Sequence, residues 1–415
     1  MRLPVLMPRL AEQRYSCHGC GDCCRDFTIE LRGDDFERVR AQGWEAELGG
    51  PFWVDFAGRR WLRQREDGAC VFLGEGGRCR IHARHGLQAK PVACQLFPFS
   101  FAPGPAVAAI GVNFACASVR RSAGAGLASH EAEVRRLQEA VAEACEPAPM
   151  PELESGMAAT EPELASVRHA LDRLLADDAL PGTVRLQGFA WIAQSLRQAR
   201  MGRVRRERLS ELMQTLVDAV PSEVPLLEPA APEGRAWRLI RQAVFARVED
   251  PKIASLQRQG RLRGVLGQWR RSRAWAGGHG DVPPLRGWPP MRFEAMTQAP
   301  GLLAGCEARA IDELLRRWLR ATLLGGRAWG AGLYGLPVNE GVALVALNLA
   351  CVAWLACARA AARGDEVRLE DAGEALGRVD RASGRAPWLG SRGERLRVQW
   401  LCHADALRRA VRALS

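Results

Sequence analysis

Eight of the thirteen cysteines fall between Cys17 and Cys116. Four stand within one short run, Cys17-His18-Gly19-Cys20-Gly21-Asp22-Cys23-Cys24. Thiolates separated by two-residue gaps can converge on one Zn²⁺ or on the irons of a cluster, because both accept sulfur ligands in near-tetrahedral arrangement. Gly19 and Gly21 let the backbone curl, so that amides and sulfurs can point toward one centre. Cys23 and Cys24 are adjacent and so are harder to place on one ion. They imply either two centres or one ligand beside a thiol with another task. Cys70, Cys79, Cys94 and Cys116, each on or beside an expected strand or turn, complete a set large enough for two four-coordinate sites. His18 and His82 lie inside the motif and are expected to support sulfur ligands by hydrogen bonding more than to ligate. Cys145, Cys306, Cys351, Cys357 and Cys402 are read as small buried hydrophobes. Cys351 and Cys357, for example, would be rotated by about 240° on a helix and share no face.

The elements that must position these residues change character along the chain. Up to about residue 125, short apolar runs alternate with turn residues, predicting small hairpins. One joins Phe52–Phe56 to Trp61-Leu62, and another joins Phe97–Phe101 to Val107–Phe114. Cys70–Leu73 and Cys79–His82 flank the turn Gly74–Gly77, in a module whose core is thin. Beyond Ser122 apolar residues recur at helical spacing over Val134–Ala144, Leu164–Leu175, Leu186–Leu196, Val204–Val220 and Trp237–Val248. Pro-rich stretches at 147–151 and 221–232 and a Gly/Pro/Trp-rich stretch at 276–301 are expected as linkers or loops. The fold class expected is mainly α. A small irregular α+β cysteine-rich domain over 1–125 would be followed by helical regions over 126–300 and 301–415.

Composition narrows the function classes. At 415 residues with 47% hydrophobic content, a core is attainable without disulfide staples. Pro4, Pro8 and Arg9 interrupt the apolar N-terminus, so no secretory signal is read and a cytoplasmic location is expected. In that reducing setting dense thiols bind metal or do redox chemistry more often than they form bridges. The net charge of +11 suggests nucleic acid, but lysine occurs only at Lys90 and Lys252 and the arginines of 196–273, Arg258 included, alternate with Glu207, Glu211 and Asp218. That pattern is a solvated helix face, and nucleic acid is not expected as a partner. The apolar run 341–358 approaches the length of a membrane span, but its alanines and Asn348 fit a buried central helix better. Gly330–Gly335 satisfies G-x-G-x-x-G without the strand before it or the helix after it, and is read as a loop.

The cysteine pattern resembles a known family. Cys17-x-x-Cys20-Gly21-x-Cys23-Cys24-Arg25, then Cys70-x-Phe72-Leu73, Cys79-x-Ile81-His82, Pro91-x-x-Cys94-x-x-Phe97-Pro98 and finally Cys116 is similar to the YkgJ-like cysteine-cluster family, described as zinc- or iron-chelating. The resemblance covers residues 15 to about 120 and assigns all eight cysteines to metal. The connection Ala83–Lys90 is longer than in short members, and His82 stands where they carry tyrosine. That lengthened form resembles the larger branch that includes flagellin lysine N-methylase. The branch implies S-adenosylmethionine as cofactor and a protein substrate. The non-enzymatic alternatives are a zinc-stabilised interaction scaffold and a metal storage or sensing protein.

Overall fold

Two hairpins form where the apolar runs predict them. In the computed structural model, which describes residues 3–199, 201–227, 230–249, 253 and 261–415, Trp53–Phe56 pairs antiparallel with Arg59–Leu62, and Phe56 lies opposite Arg59. Ala57 and Gly58 take φ of 54° and 74°, the left-handed pair whose twist matches that of hairpin strands. Phe99–Pro103 pairs with Ala108–Val112, and Val5–Leu6 joins that sheet in parallel. Lys252 and Arg258 lie outside the described residues.

Of the later four cysteines, Cys70 and Cys79 lie on isolated β-bridges and Cys116 follows a turn, as expected. Helix starts also carry two of them, and Cys94 alone lies within a helix. Cys79 and Cys116 immediately precede the helices Arg80–His85 and Ala117–Arg121. Cys94 lies inside Val92–Leu96, which begins after Pro91, a residue suited to the start of a helix. In Arg80–His85 only Ile81 is buried, so the alternation a half-buried strand needs is missing. The module's own core is small and aromatic, built on Val39, Trp44, Phe52, Phe72 and Ile81.

The rest of the described chain is helical apart from the hairpin Glu152–Glu154 with Met157–Ala158, which the helical periodicity did not announce. Glu161–Ala176 starts on a capping box, with Glu163 accepting from the Thr160 amide at 2.8 Å. Glu207–Leu226 runs through Pro221 and Pro225, correcting the expectation of a linker from 221. Both prolines lie on the exposed side near the helix end, while Met213, Val217, Val220 and Val224 bury one stripe. That stripe holds the helix together past the lost main-chain donors.

Val338–Ala361 is, among the described residues, the one helix long and apolar enough to cross a bilayer, and its apolar window is wholly buried. It packs against Gly182–Gln198, Gly234–Val248, Leu369–Ala382 and Ala406–Leu414. Asn348, at mid-helix, is satisfied there: its Oδ1 accepts from Arg247 Nε at 2.6 Å and its amide donates to Ser383 Oγ at 3.2 Å. Arg247 in turn pairs with buried Glu394 at 2.8 Å. Gly330–Gly335 forms a turn closed by the Gly330–Leu336 bridge, not a nucleotide-binding strand-to-helix junction.

Helix Leu369–Ala382 fastens the cysteine-bearing segments to the helices. Asp380 is buried and accepts from the Phe114 main-chain amide at 2.6 Å, from the Trp318 indole at 3.1 Å and from both Nη atoms of Arg327 at 3.1 Å. Arg327 also donates to the Val112 carbonyl at 2.7 Å. The strand end just before Cys116 is thereby held by one carboxylate. Replacing Asp380 with Asn leaves Arg327 buried and uncompensated, with an expected loss of about 3 kcal/mol or more. Urea denaturation of Asp380→Asn measures it, and an Asp380→Asn, Arg327→Met double variant is expected to recover part of the loss.

Candidate metal centre

Cys17 and Cys20 sit on a loop shaped by two left-handed glycines, and Cys23 and Cys24 on the helix it leads into. Gly19 and Gly21 have φ of 72° and 77°. A Cβ on Gly21 would lie 2.7 Å from the Gly77 carbonyl and 2.8 Å from Leu73 Cδ1, and a Cβ on Gly77 would lie 2.7 Å from the carbonyls of Gly19 and Cys20. The two turns therefore meet backbone to backbone, which brings Cys20–Cys24 beside Cys70–Cys79. Helix Asp22–Asp26 follows at once, carrying Cys23 and Cys24. The Cys70 amide donates to the Cys24 carbonyl at 2.8 Å, and Arg25 reaches back to the Cys20 carbonyl at 2.8 Å.

The eight sulfurs share one electrostatic neighbourhood. Cys24 hydrogen-bonds the sulfurs of Cys23 and Cys79. Its single thiol proton is shared with these two neighbours, which lowers Cys23 to about 7 and Cys79 to about 6 while its own pKa rises. Burial, then the charge of neighbouring sulfurs, raises Cys94; burial raises Cys70 to about 12. Burial likewise pushes Cys20 up to about 12 and raises Cys116, which also interacts with Cys17 and Cys23. Among the described residues, no three His, Cys, Asp or Glu side chains surround a common point as metal ligands do. The donor set nevertheless fits a thiophilic metal: sulfurs from four separate segments, two of them readily ionised, with a cation at hand.

That cation is Lys90, a residue the sequence reading did not assign to the site. Burial alone would lower its pKa, but the field of Cys94, Cys79, Cys23 and Cys24 raises it instead. Its signal in the sequence was rarity, one of two lysines among 58 basic residues. Tyr15 is also drawn in, its pKa raised by burial and then by Cys116, Cys17 and Cys23. The histidines do not support sulfur as expected. His18 Nδ1 meets Ser118 Oγ and its Nε2 lies 3.3 Å from Arg121, while His82 is exposed. Of the five other cysteines, Cys145, Cys351, Cys357 and Cys402 are buried. Cys306 is exposed, because it lies in the turn leading into helix Ala308–Leu324, and the buried-hydrophobe expectation fails there.

A cleft of about 840 Å³ opens beside the cysteine loop, lined by Asp22, Arg25 and Asp26 on one side and by residues of Gly234–Val248, Arg261–Gly277 and Leu369–Ala382 on others. Arg381 bridges it to Asp26 at 3.2 Å.

The thiol chemistry makes an expected reactivity order. Iodoacetamide at neutral pH should label Cys23 and Cys79 faster than Cys70 and Cys94, since thiolates are the nucleophiles. Lowering the pH through about 7 and then about 6 protonates Cys23 and Cys79, so their labelling should slow across that window. Peptide mapping by mass spectrometry reads both effects.

Comparison with known proteins bears on the cysteine-bearing segment. Residues 16–126 match the model of the CxxCxxCC family, described as a "putative zinc- or iron-chelating domain". An uncharacterized protein of Methanocaldococcus jannaschii is 34% identical over 86 residues, which cover 21% of this chain and 29% of that protein. The chain thus spans less than a third of that relative's length. No solved structure matches the chain. The segment that carries the eight clustered cysteines is therefore similar to a zinc- or iron-chelating domain.

Proposed function

We propose that the chain binds an iron–sulfur cluster or zinc through Cys17, Cys20, Cys23, Cys24, Cys70, Cys79, Cys94 and Cys116. The observation that carries this reading is the glycine-to-glycine backbone contact that sets the Cys17–Cys24 segment against Cys70–Cys79, with Cys23, Cys24, Cys79 and Cys94 all interacting with Lys90. Two readily ionised thiols, Cys23 and Cys79, lie among thiols that hold their protons, in a partly buried place beside one ammonium. Ligation then requires the side chains to turn inward, while the glycine-to-glycine contact keeps the backbone in place. Bound metal would supply either electron transfer and Lewis acidity or structural closure, according to whether a coordination position stays open.

The enzymatic form of this reading is protein-lysine N-methylation, as the larger family branch implies. A methyl group would pass from the sulfonium of S-adenosylmethionine to a lysine ε-amine, releasing S-adenosylhomocysteine and a proton. What favours an enzyme over a zinc-stabilised scaffold or a storage protein is the cleft that opens against the cysteine helix, of a size that holds a small ligand. A cytoplasmic setting with a protein substrate belongs to the same reading.

Anaerobic purification, absorption spectroscopy and metal analysis test the proposal on wild type and a Cys23→Ser, Cys24→Ser double variant. Stoichiometric iron and sulfide with a broad band near ~400 nm, or stoichiometric zinc without colour, is expected, with loss in the variant. Protein with neither metal overturns it. For the enzymatic form, metal-loaded protein incubated with S-adenosylmethionine and a bacterial lysate should raise the yield of methylated lysine in mass spectra; no rise rejects that form alone.

A further inference from the structure

The cleft beside the cysteine loop has an unbalanced charge. Of its six arginines, four are matched by carboxylates: Arg25 with Asp22 at 3.6 Å, Arg120 with Glu374 at 2.9 Å, Arg381 with Asp26 at 3.2 Å, and Arg271 with Glu249. Those four pairs account for every carboxylate on the cleft wall. Arg286 and Arg378 form no ion pair among the described residues. Their protein hydrogen bonds go to main-chain carbonyls, Arg286 to Arg25 at 3.1 Å and Arg378 to Arg286.

Arg378 is held in this state by its surroundings. Its guanidinium lies 5.1 Å from the centre of the Trp288 ring, and its Nε is buried without a partner. Burial, then the neighbouring Arg381, brings its pKa down to about 10, which leaves it charged at neutral pH. Asp26 and Glu374 act on Arg378 only from beyond ion-pair distance, and a desolvated guanidinium with a missing hydrogen bond and no direct ion pair is destabilising. An anion entering the cleft would supply both, in the bidentate manner that suits arginine. The same cleft presents Val265, an exposed side chain, together with Leu285 and Pro284, so that its wall carries apolar surface as well as charge.

We propose that the cleft is a binding site for a small amphipathic anion, its carboxylate, phosphate or sulfonate group taken by Arg378 and Arg286 and its apolar body laid against Val265, Pro284 and Leu285. The site stands on the cleft alone and does not depend on the metal reading. Its wall includes Asp22, Arg25 and Asp26 of the helix that carries Cys23 and Cys24.

Fluorescence titration of the full chain with anilinonaphthalene sulfonate tests this, with uncharged phenylnaphthylamine as the comparison probe. Saturable binding of the sulfonate is expected, weakened about tenfold in Arg378→Gln and in Arg286→Gln, as loss of one charge-assisted hydrogen bond implies. The exposed-surface control Arg208→Gln should bind as wild type does. Phenylnaphthylamine should bind at least about tenfold more weakly and be indifferent to both variants. If Arg378→Gln fails to fold, Arg286→Gln, at an exposed loop position, carries the test. Equal sulfonate affinity in the foldable arginine variants, or an uncharged probe that binds as tightly as the sulfonate, overturns the proposal.

Discussion

One buried carboxylate joins the two kinds of structure in this chain. Asp380 gathers a main-chain amide from the segment before Cys116, an indole from helix Ala308–Leu324 and a guanidinium that also grips the preceding strand. A charge in the interior persists only when it is fully paired and hydrogen-bonded, and here each donor comes from a different part of the fold. The helix that carries Asp380 inward carries Glu374, Arg378 and Arg381 outward into the cleft. Gly377 lies between them because a Cβ there would sit 2.4 Å from Arg120 Nη1. The cleft wall and the anchor of the last cluster cysteine are thus one rigid element, so what loosens Asp380 loosens both.

Within the cysteine module, two forces oppose each other. Close approach of the Gly19–Gly21 and Gly77 turns concentrates sulfur, while burial and mutual repulsion make it hard for all those thiols to ionise together. The structure resolves this by uneven sharing: Cys24 keeps the one proton it shares with Cys23 and Cys79, whose ionisation becomes easier. Lys90 relieves the remainder. A metal ion would take over the same work with higher charge, which is why a thiol cluster of this kind and a cation-binding role go together.

What could be read in the sequence follows the range of the interaction concerned. The Trp53–Leu62 hairpin and the helices from Glu161 onward were legible because alternation and helical spacing are local, and the central helix Val338–Ala361 because Asn348 and its alanines mark an interior more than a lipid face. Pro221 and Pro225 misled, since their cost is local while the stripe Met213–Val224 that outweighs it is recognised only once packed. Cys306 misled for a similar reason, as composition does not say which face of a turn is covered. The eight clustered cysteines could be named from spacing, yet Lys90 and Tyr15 could not, because their involvement arises from folding. Asp380 with Arg327, and the cleft assembled from Asp22, Phe245, Leu285 and Arg378, join residues too far apart for any sequence pattern to pair.

The central claim is that these sulfurs are the metal's ligands. X-ray absorption spectroscopy at the metal edge, on protein purified with its metal, tests it most directly. The account expects a first shell of sulfur alone, at about 2.3 Å if the metal is zinc, and loss of that shell when Cys23 and Cys24 are replaced. A first shell of nitrogen and oxygen, unchanged by those replacements, would contradict it.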